Sequence, residues 1–200
     1  MFRLVCLIVG YFIGCFQTAH FVSKHLGVDL KHKGSGNLGT TNSMRVMGKK
    51  AGFVVLAGDF FKTVVAFLIM GYVFKGNFFL AGTYAALGVI LGHDFPFYLG
   101  FSGGKGIASM FGYLLCVGVR PILIVLAIGV LGSLTGYVSV GSLLVSFALP
   151  ITLYIFGFSK EVVCVGAVMG LLAIWRHKAN FKRLLEGTEN KINISIKKKK

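Results

Sequence analysis

Long stretches without charge constrain this chain more than any other feature of its sequence. A helix needs about 20 residues to cross the roughly 30 Å hydrocarbon core of a bilayer. The fifth of six apolar runs has 38 uncharged residues, and a turn-like segment, Gly136–Ser142, divides it into two helices. The pattern therefore predicts an all-α polytopic membrane protein with about seven transmembrane helices. The six runs are Leu4–Phe21, Phe53–Phe74, Phe78–Leu91, Ile107–Val119, Pro121–Phe158 and Val162–Trp175.

Composition excludes the other broad classes of protein. Hydrophobic residues make up 56% of the chain and charged residues only 14%, and the mean hydropathy is +0.81. These values are incompatible with a soluble globular domain and with a disordered chain. No soluble part can be separated, so residues 1–200 are predicted to form one integral membrane domain ending in a basic tail at 191–200. The four cysteines lie inside apolar runs, and histidines and acidic residues are scattered, so neither a metal nor a cofactor is expected.

The distribution of lysine and arginine predicts the orientation of the chain. Cytoplasmic loops carry an excess of these residues close to the helix ends. With seven spans, 16 of them fall on one side and only 4 on the other. This predicts that the N-terminus lies outside the cell and the C-terminus in the cytoplasm. The expected partners are the lipid bilayer and small substrates, and we expect neither nucleic acid nor an obligatory protein partner.

A small, polar, glycine-rich segment, Lys33–Arg45, separates the first two apolar runs. Glycine-rich backbone can bring several N–H groups toward an anion. Ser35 and Thr41 add short hydrogen-bonding side chains, and the planar guanidinium of Arg45 suits a phosphate or a carboxylate. Composition alone fits an anion-binding loop and a simple connector equally well.

A second glycine-rich segment, Ser102–Gly106, runs directly into the apolar stretch that begins at Ile107. Glycines before a helix start expose unsatisfied N–H groups, whose partial positive charge favours an anion. Lys105 would add a full positive charge at the same place. The segment is not a Walker loop, because Gly106 stands where that motif has serine or threonine.

Two further motif matches lack the structure that would give them meaning. Gly34–Gly39 fits the dinucleotide fingerprint, which works only between a strand and a helix. Gly100–Gly104 fits the nucleophile elbow of α/β-hydrolases, which needs a strand before it and triad partners after it. Neither nucleotide binding nor a nucleophilic Ser102 is therefore expected.

The end of the last apolar run contains a third polar group. His177 and Asn180 are three residues apart, so in a helix they share one face. Histidine titrates near neutrality, which makes His177 a candidate proton carrier; a chemically inert interfacial histidine is the alternative. Asp59 and Lys62 show the same spacing inside the second run. A structural ion pair is the favoured interpretation there, and an ion pathway is the alternative.

These segments together resemble the bacterial acyl-phosphate:glycerol-3-phosphate acyltransferases, the PlsY family of small integral membrane enzymes. The resemblance covers nearly the whole chain. Leu38, Thr40, Ser102 and Ala179 depart from the family pattern. The resemblance is carried by Gly34–Asn37, Thr41–Arg45, Gly48–Gly52, Gly92–Pro96, Gly103–Gly106, Tyr137–Ser142, His177, Asn180 and Gly187–Lys191.

The resemblance implies transfer of a fatty acyl group from acyl phosphate to the 1-hydroxyl of sn-glycerol 3-phosphate. The products would be lysophosphatidic acid and phosphate, in the first acylation step of phospholipid synthesis, without a cofactor or coenzyme A. Both substrates carry phosphate, so the site should be cationic and lie at the cytoplasmic membrane surface. The candidate catalytic residues are His177, Asn180, Ser35 and Arg45. The candidate phosphate-binding residues are Gly34, Gly36, Asn37, Thr41, Gly103, Gly104, Lys105, Gly106 and Ser142.

Two other functions compete with this interpretation. A transporter of a phosphorylated solute would fit the seven spans and the intramembrane Asp59 and Lys62. Transporter sites usually lie near the midplane of the membrane, however, whereas the informative residues here cluster on one side. An acyltransferase that uses acyl-CoA or acyl carrier protein through a histidine and an aspartate with four residues between them is the other candidate. None of the five histidines has an aspartate at that spacing.

Overall fold

Helices form every regular element that the structure describes. The structure is a computed structural model that describes residues 1–191. The all-α prediction is confirmed for this part of the chain, whereas the predicted basic tail lies almost wholly outside the described residues. Short 3₁₀ turns at Lys75–Asn77 and Phe97–Leu99 flank the fourth helix. The α-helices are α1 (Phe2–Cys15), α2 (Thr18–His25), α3 (Thr40–Val73), α4 (Phe78–Asp94), α5 (Ile107–Val117), α6 (Val119–Ser133), α7 (Val138–Ile155), α8 (Lys160–Arg176) and α9 (Lys178–Leu185).

The second, third, fourth and sixth apolar runs each correspond to one helix, the fifth corresponds to two, and the first covers α1 and the start of α2. By length and composition, four helical segments can cross a membrane: Phe2–His25, Thr40–Val73, Lys75–Leu99 and Val138–Ile155. The bent pair α8 and α9 is a fifth if it counts as one span, and α5 and α6 are shorter apolar helices. The length criterion thus supports four or five crossings, and the count of seven stays a prediction.

The loop before α5 folds back along the end of α4. The Gly103 N–H donates to the carbonyl of Asp94 over 3.1 Å, and the Gly104 N–H donates to that of His93 over 3.0 Å. The chain therefore returns along the last turn of α4 before α5 begins at Ile107. The loop is part of the packed helical bundle, and it does not simply lie on its surface.

Three predicted boundaries differ from the structure. The first apolar run is broken between α1 and α2, at Phe16 and Gln17. The helix of the second run already begins at Thr40, and a kink at Gly48, with φ of 86°, divides it. The hairpin predicted in the fifth run is present, but its turn is shorter than expected because α7 begins at Val138.

Glycines allow α1 and α4 to pack backbone to backbone. A Cβ added at Gly10 or Gly14 would collide with the carbonyls of Ala85 or Val89, and one added at Gly88 would meet α1 in the same way. Small residues four apart permit this close approach between membrane helices. The pair positions the end of α4, and hence the start of the Gly103–Gly106 loop.

Large apolar side chains are divided between a packed interior and the outward helix faces. Phe67, Tyr113 and Leu149 are fully buried in the main core. By contrast, Leu131 and Tyr154 retain 64% and 74% of their accessible surface. Outward-facing residues of this kind suit contact with lipid tails.

The polar segments singled out in the sequence share one end of the bundle. The Lys31 ammonium donates to the carbonyl of Leu99 over 3.1 Å, which joins the first loop to the second. Arg176 joins the second loop to the end of α8, and Lys191 lies 5.8 Å from the ring centre of Tyr137 at the start of α7. At the opposite end, Arg3 pairs with Glu161 over 2.8 Å.

Candidate active site

Asn42 organises the first loop. It is 1% exposed, and its Oδ1 accepts the N–H of Ser35 over 2.9 Å. Its Nδ2 donates to the carbonyl of Lys33 over 3.1 Å, and Arg45 Nη1 donates to Asn42 Oδ1 over 3.5 Å. Gly34 has a φ of +63°, and a side chain there would strike Asn42. One buried amide thus fixes a tight turn whose Ser35 and Arg45 side chains stay exposed.

Hydrogen bonds from Arg176 to the loop carbonyls hold the second loop in place. Arg176 Nη2 donates to the carbonyl of Gly104 over 2.8 Å and to that of Gly103 over 3.3 Å. The amides of both glycines already donate to α4 carbonyls, so the prediction that these two N–H groups bind phosphate does not fit this geometry. Gly103 and Gly104 shape the loop instead. Gly106, with φ of +75°, precedes the first residue of α5.

Lys105 and Asn180 are in direct contact. The Lys105 ammonium donates to Asn180 Oδ1. Asn180 Nδ2 donates to Glu189 Oε1 over 2.7 Å, and Arg183 Nε donates to Glu189 Oε2 over 2.7 Å. Burial, together with the nearby positive charge of Arg183, lowers the pKa of Lys105 to about 8. The site therefore contains a cation that is close to losing its proton, beside an amide whose orientation Glu189 fixes.

His177 follows the last residue of α8 and is 4% exposed. Its Nδ1 lies 2.7 Å from the carbonyl of Ala173, which can only accept, so Nδ1 carries the proton and Nε2 presents a lone pair. Burial and the charge of Lys105 lower the pKa of His177 to about 4. The imidazole is thus neutral at physiological pH and can accept a proton or a hydrogen bond through Nε2.

The predicted residues fall into two groups. Lys105, His177 and Asn180 converge at the junction of α5, α8 and α9. Ser35 lies in the first loop, and Thr41 and Arg45 lie in the first turns of α3, at the same end of the bundle. No hydrogen bond or ion pair within residues 1–191 joins them to the first group. Gly34, Gly36 and Asn37 belong to the same loop, and the Gly36 N–H donates to the carbonyl of Lys33 over 3.1 Å.

Ser142 lies near the start of α7, and its hydroxyl donates to the carbonyl of Val138 over 3.0 Å. The side chain is 8% exposed. Its hydroxyl is therefore directed at its own helix in this structure. No contact among the described residues ties it directly to Lys105 or His177, so its role at the site stays a prediction.

Three residues of this end of the molecule were missing from the predicted set. Asn42, Arg176 and Glu189 each fix a loop or an orientation through hydrogen bonds. A buried amide or acid inside a basic, glycine-rich segment was the available signal. Across residues 1–191, His, Cys, Asp and Glu side chains form no group of three or more that could hold a metal ion.

Comparison with known proteins identifies the family. Residues 4–187 match the model of the family described as glycerol-3-phosphate acyltransferase. A glycerol-3-phosphate acyltransferase of Thermoanaerobacter sp. (strain X514) is 40% identical over 194 residues, which cover 96% of each chain. One from Clostridioides difficile (strain 630) is 39% identical, over 94% of this chain and 95% of its own.

A solved structure gives the same result. The crystal structure of PlsY, an integral membrane glycerol 3-phosphate acyltransferase, in its glycerol 3-phosphate form superposes with a TM-score of 0.88. It is 34% identical in sequence, and the match covers 95% of both chains. The helical bundle, the polar end and these similarities agree, and the chain belongs to the glycerol-3-phosphate acyltransferase family.

Proposed function

We propose that this enzyme transfers a fatty acyl group from acyl phosphate to the 1-hydroxyl of sn-glycerol 3-phosphate, releasing lysophosphatidic acid and inorganic phosphate. The observation that carries the proposal is the contact of Lys105 with Asn180 beside His177, at the membrane end that also holds Arg45. Two phosphorylated reactants need two cationic positions, and this end supplies Lys105 in the second loop and Arg45 near the start of α3.

The acyl phosphate donor fits the chemistry of this site. An acyl phosphate is already activated, so holding the two reactants in line can supply most of the catalysis without a covalent intermediate. Lys105, the amides near Gly106 and the first loop, with Ser35 and Arg45, bind the two phosphates in this proposal. The acyl chain remains in the lipid phase beside the bundle.

His177 receives or orients the proton of the attacking hydroxyl. Its neutral Nε2 has the lone pair that this role requires. A pKa of about 4 makes it a weak base in the empty site. Two bound phosphates would raise that pKa, because nearby negative charge stabilises the imidazolium form. Asn180, fixed by Glu189, holds the hydroxyl or a phosphate oxygen next to it.

We further propose seven spans, with the site facing the cytoplasm of a bacterial inner membrane. The excess of lysine and arginine at the site end supports this orientation. The 17 residues of α8 extend about 25 Å at 1.5 Å per residue, close to the thickness of the hydrocarbon core. The N-terminal Arg3, paired with Glu161 at the start of α8, thus lies one membrane thickness from His177.

The decisive experiment supplies purified protein with glycerol 3-phosphate and either palmitoyl phosphate or palmitoyl-CoA, and follows lysophosphatidic acid. We expect product from palmitoyl phosphate alone, and a Lys105→Met variant should lose most of it. Product from palmitoyl-CoA only would overturn the donor assignment. Flux of glycerol 3-phosphate across proteoliposomes without chemical change would instead support the transporter.

A further inference from the structure

A buried cluster of charged and polar groups lies behind the Gly103–Gly106 loop. Lys62 Nζ donates to Asp59 Oδ1 and to the carbonyl of Phe16, each over 2.9 Å, and to the carbonyl of Gly14 over 3.2 Å. Both side chains are nearly inaccessible, at 5% for Lys62 and 1% for Asp59. The predicted ion pair is confirmed. Because the two carbonyls belong to the break between α1 and α2, Lys62 also caps the end of α1.

The same ammonium fixes the tautomer of His93. His93 Nδ1 lies 2.9 Å from Lys62 Nζ. A charged ammonium has only donors, so beside it Nδ1 presents its lone pair and shares one of the three N–H groups with another acceptor. Asp59 Oδ1 lies farther from Nδ1, at 3.5 Å, so Lys62 is the nearest partner. The proton of the neutral imidazole therefore lies on Nε2.

The Nε2–H of His93 is directed toward the loop. A Cβ added at Gly104 would strike Nε2 directly, so the glycine leaves the space that the ring occupies. The backbone of His93 is fixed as well: its carbonyl accepts from Gln17 Nε2 over 2.9 Å and from the Gly104 N–H over 3.0 Å. Within residues 1–191, Nε2 itself has no hydrogen-bond partner.

Polar groups inside a packed cluster are normally hydrogen-bonded, so a fixed donor without a partner calls for an acceptor that arrives later. His93 has 97% of its side-chain surface buried, since 3% is exposed. The position next to Nε2 is the loop that carries Lys105, the cation proposed to bind phosphate. A phosphate held at that loop could accept a hydrogen bond from the Nε2–H of His93 and pair with the charge of Lys105 at the same time.

We propose that His93 is a further phosphate-binding residue, whose Nε2–H donates to a phosphate oxygen of substrate at the Gly104–Lys105 loop, with Lys62 fixing the donor tautomer. The inference rests on the proposed function for its substrates. The Asp59–Lys62 pair then has a positioning role in addition to holding α1 and α2 together.

Two substitutions separate binding from packing. His93→Gln places an amide N–H near the position of Nε2, whereas His93→Asn reaches only the position of Nδ1. We expect His93→Asn to lower kcat/KM for one of the two phosphate substrates by about 10- to 100-fold, the range for a hydrogen bond to a charged group. His93→Gln should recover much of it. His20→Asn, at a partly exposed histidine in α2, is the control and should leave kcat/KM unchanged.

The two substrates are titrated separately, so the one whose KM rises identifies which phosphate His93 binds. Equal, near-normal kinetics of both His93 variants would overturn the inference while leaving the acyltransfer reaction intact. Loss of wild-type activity with acyl phosphate would instead overturn the proposed function.

If neither His93 variant folds, a spectroscopic measurement on the wild-type enzyme tests the proposal. In wild-type enzyme labelled with ¹⁵N-histidine, the His93 nitrogen shifts should report a proton on Nε2. Addition of inorganic phosphate should shift the Nε2 signal more than the signal of His20. A proton on Nδ1, or a His93 signal unmoved at saturating phosphate, would show that the residue only packs against the loop.

Discussion

At the scale of single residues, Lys105 sets the dependence of the reaction on pH. Its pKa of about 8 means that its positive charge is present below pH 8 and is lost as the pH rises through that value. The charged form binds phosphate, so kcat/KM, which reports the free enzyme, should fall as the pH rises from 7 to 9. Initial rates at subsaturating substrate measure this fall.

Lys105→Arg is the matched control for that titration. A guanidinium stays charged throughout this range, so a folded Arg variant should keep a flat profile between pH 7 and 9 even if its overall rate is lower. The same fall in the Arg variant would assign the titration to another group and contradict the role of Lys105.

His177 belongs to the same scale. Replacing His177 by alanine removes the only lone pair that the imidazole presents next to Lys105, and turnover should drop by about 100-fold or more if it acts as the base. The comparison uses His32→Ala, at an exposed surface histidine, with folding of both variants checked by thermal unfolding. A near-normal turnover in folded His177→Ala would reject the role and leave the phosphate of the substrate to take the proton.

At the scale of helices, the sequence predicts which segments are helical better than it predicts where each helix begins and ends. Helices occupy every apolar run, because lipid-facing and core-facing positions both demand apolar residues, although the first run is broken into α1 and α2. The break at Phe16 was not predictable from its neighbours, because the carbonyls that it frees are satisfied by Lys62, 46 residues away. The helix from Thr40 to Gly48 was missed for a similar reason: its polar residues resemble a loop until Asn42 is seen to organise the turn before it.

The same argument explains the partial success at the site. Lys105, His177 and Asn180 could be selected because each has a side chain with evident chemistry in a polar segment. The amides of Gly103 and Gly104 donate to carbonyls of α4. This could not be foreseen from the sequence, since it depends on how far the loop folds back along that helix. Arg176 escaped for the related reason that its partners are carbonyls of another segment.

The close glycine contact between α1 and α4 leads to a prediction about helix packing. Gly10→Ala places a Cβ against the carbonyl of Ala85, and overpacking of this kind costs about 1–3 kcal/mol. The thermal unfolding midpoint in detergent should fall by about 3–10 °C. Gly76→Ala, where an added Cβ meets nothing within 4 Å, should unfold at the wild-type temperature. Equal midpoints for the two variants would mean that this helix contact is not tight in the membrane protein.

At the scale of the whole molecule, the two ends of the bundle differ in chemistry. One end holds glycine loops, the partly buried Lys105 and the neutral His177. The other is closed by Arg3, Glu161 and the Tyr84 hydroxyl, which donates to Glu161 over 2.8 Å. A reaction between two phosphates and an acyl chain needs water-soluble anions and lipid at the same place. The first end combines cationic glycine-rich loops with apolar helix faces open to lipid.

The orientation of that end follows from charge and can be measured with single cysteines. In a background with Cys164→Ala, which removes an exposed native thiol, Lys33→Cys marks the site end and Lys75→Cys the opposite end, and both positions are exposed. A membrane-impermeant maleimide should label Lys75→Cys, but not Lys33→Cys, in right-side-out vesicles, and the pattern should reverse in inverted vesicles. The reason is that 16 lysines and arginines favour the cytoplasmic side over a side with 4. Labelling of both positions from one side would contradict a bundle that crosses the membrane between them, and the opposite pattern would place acyl transfer outside the cell, away from cytoplasmic glycerol 3-phosphate.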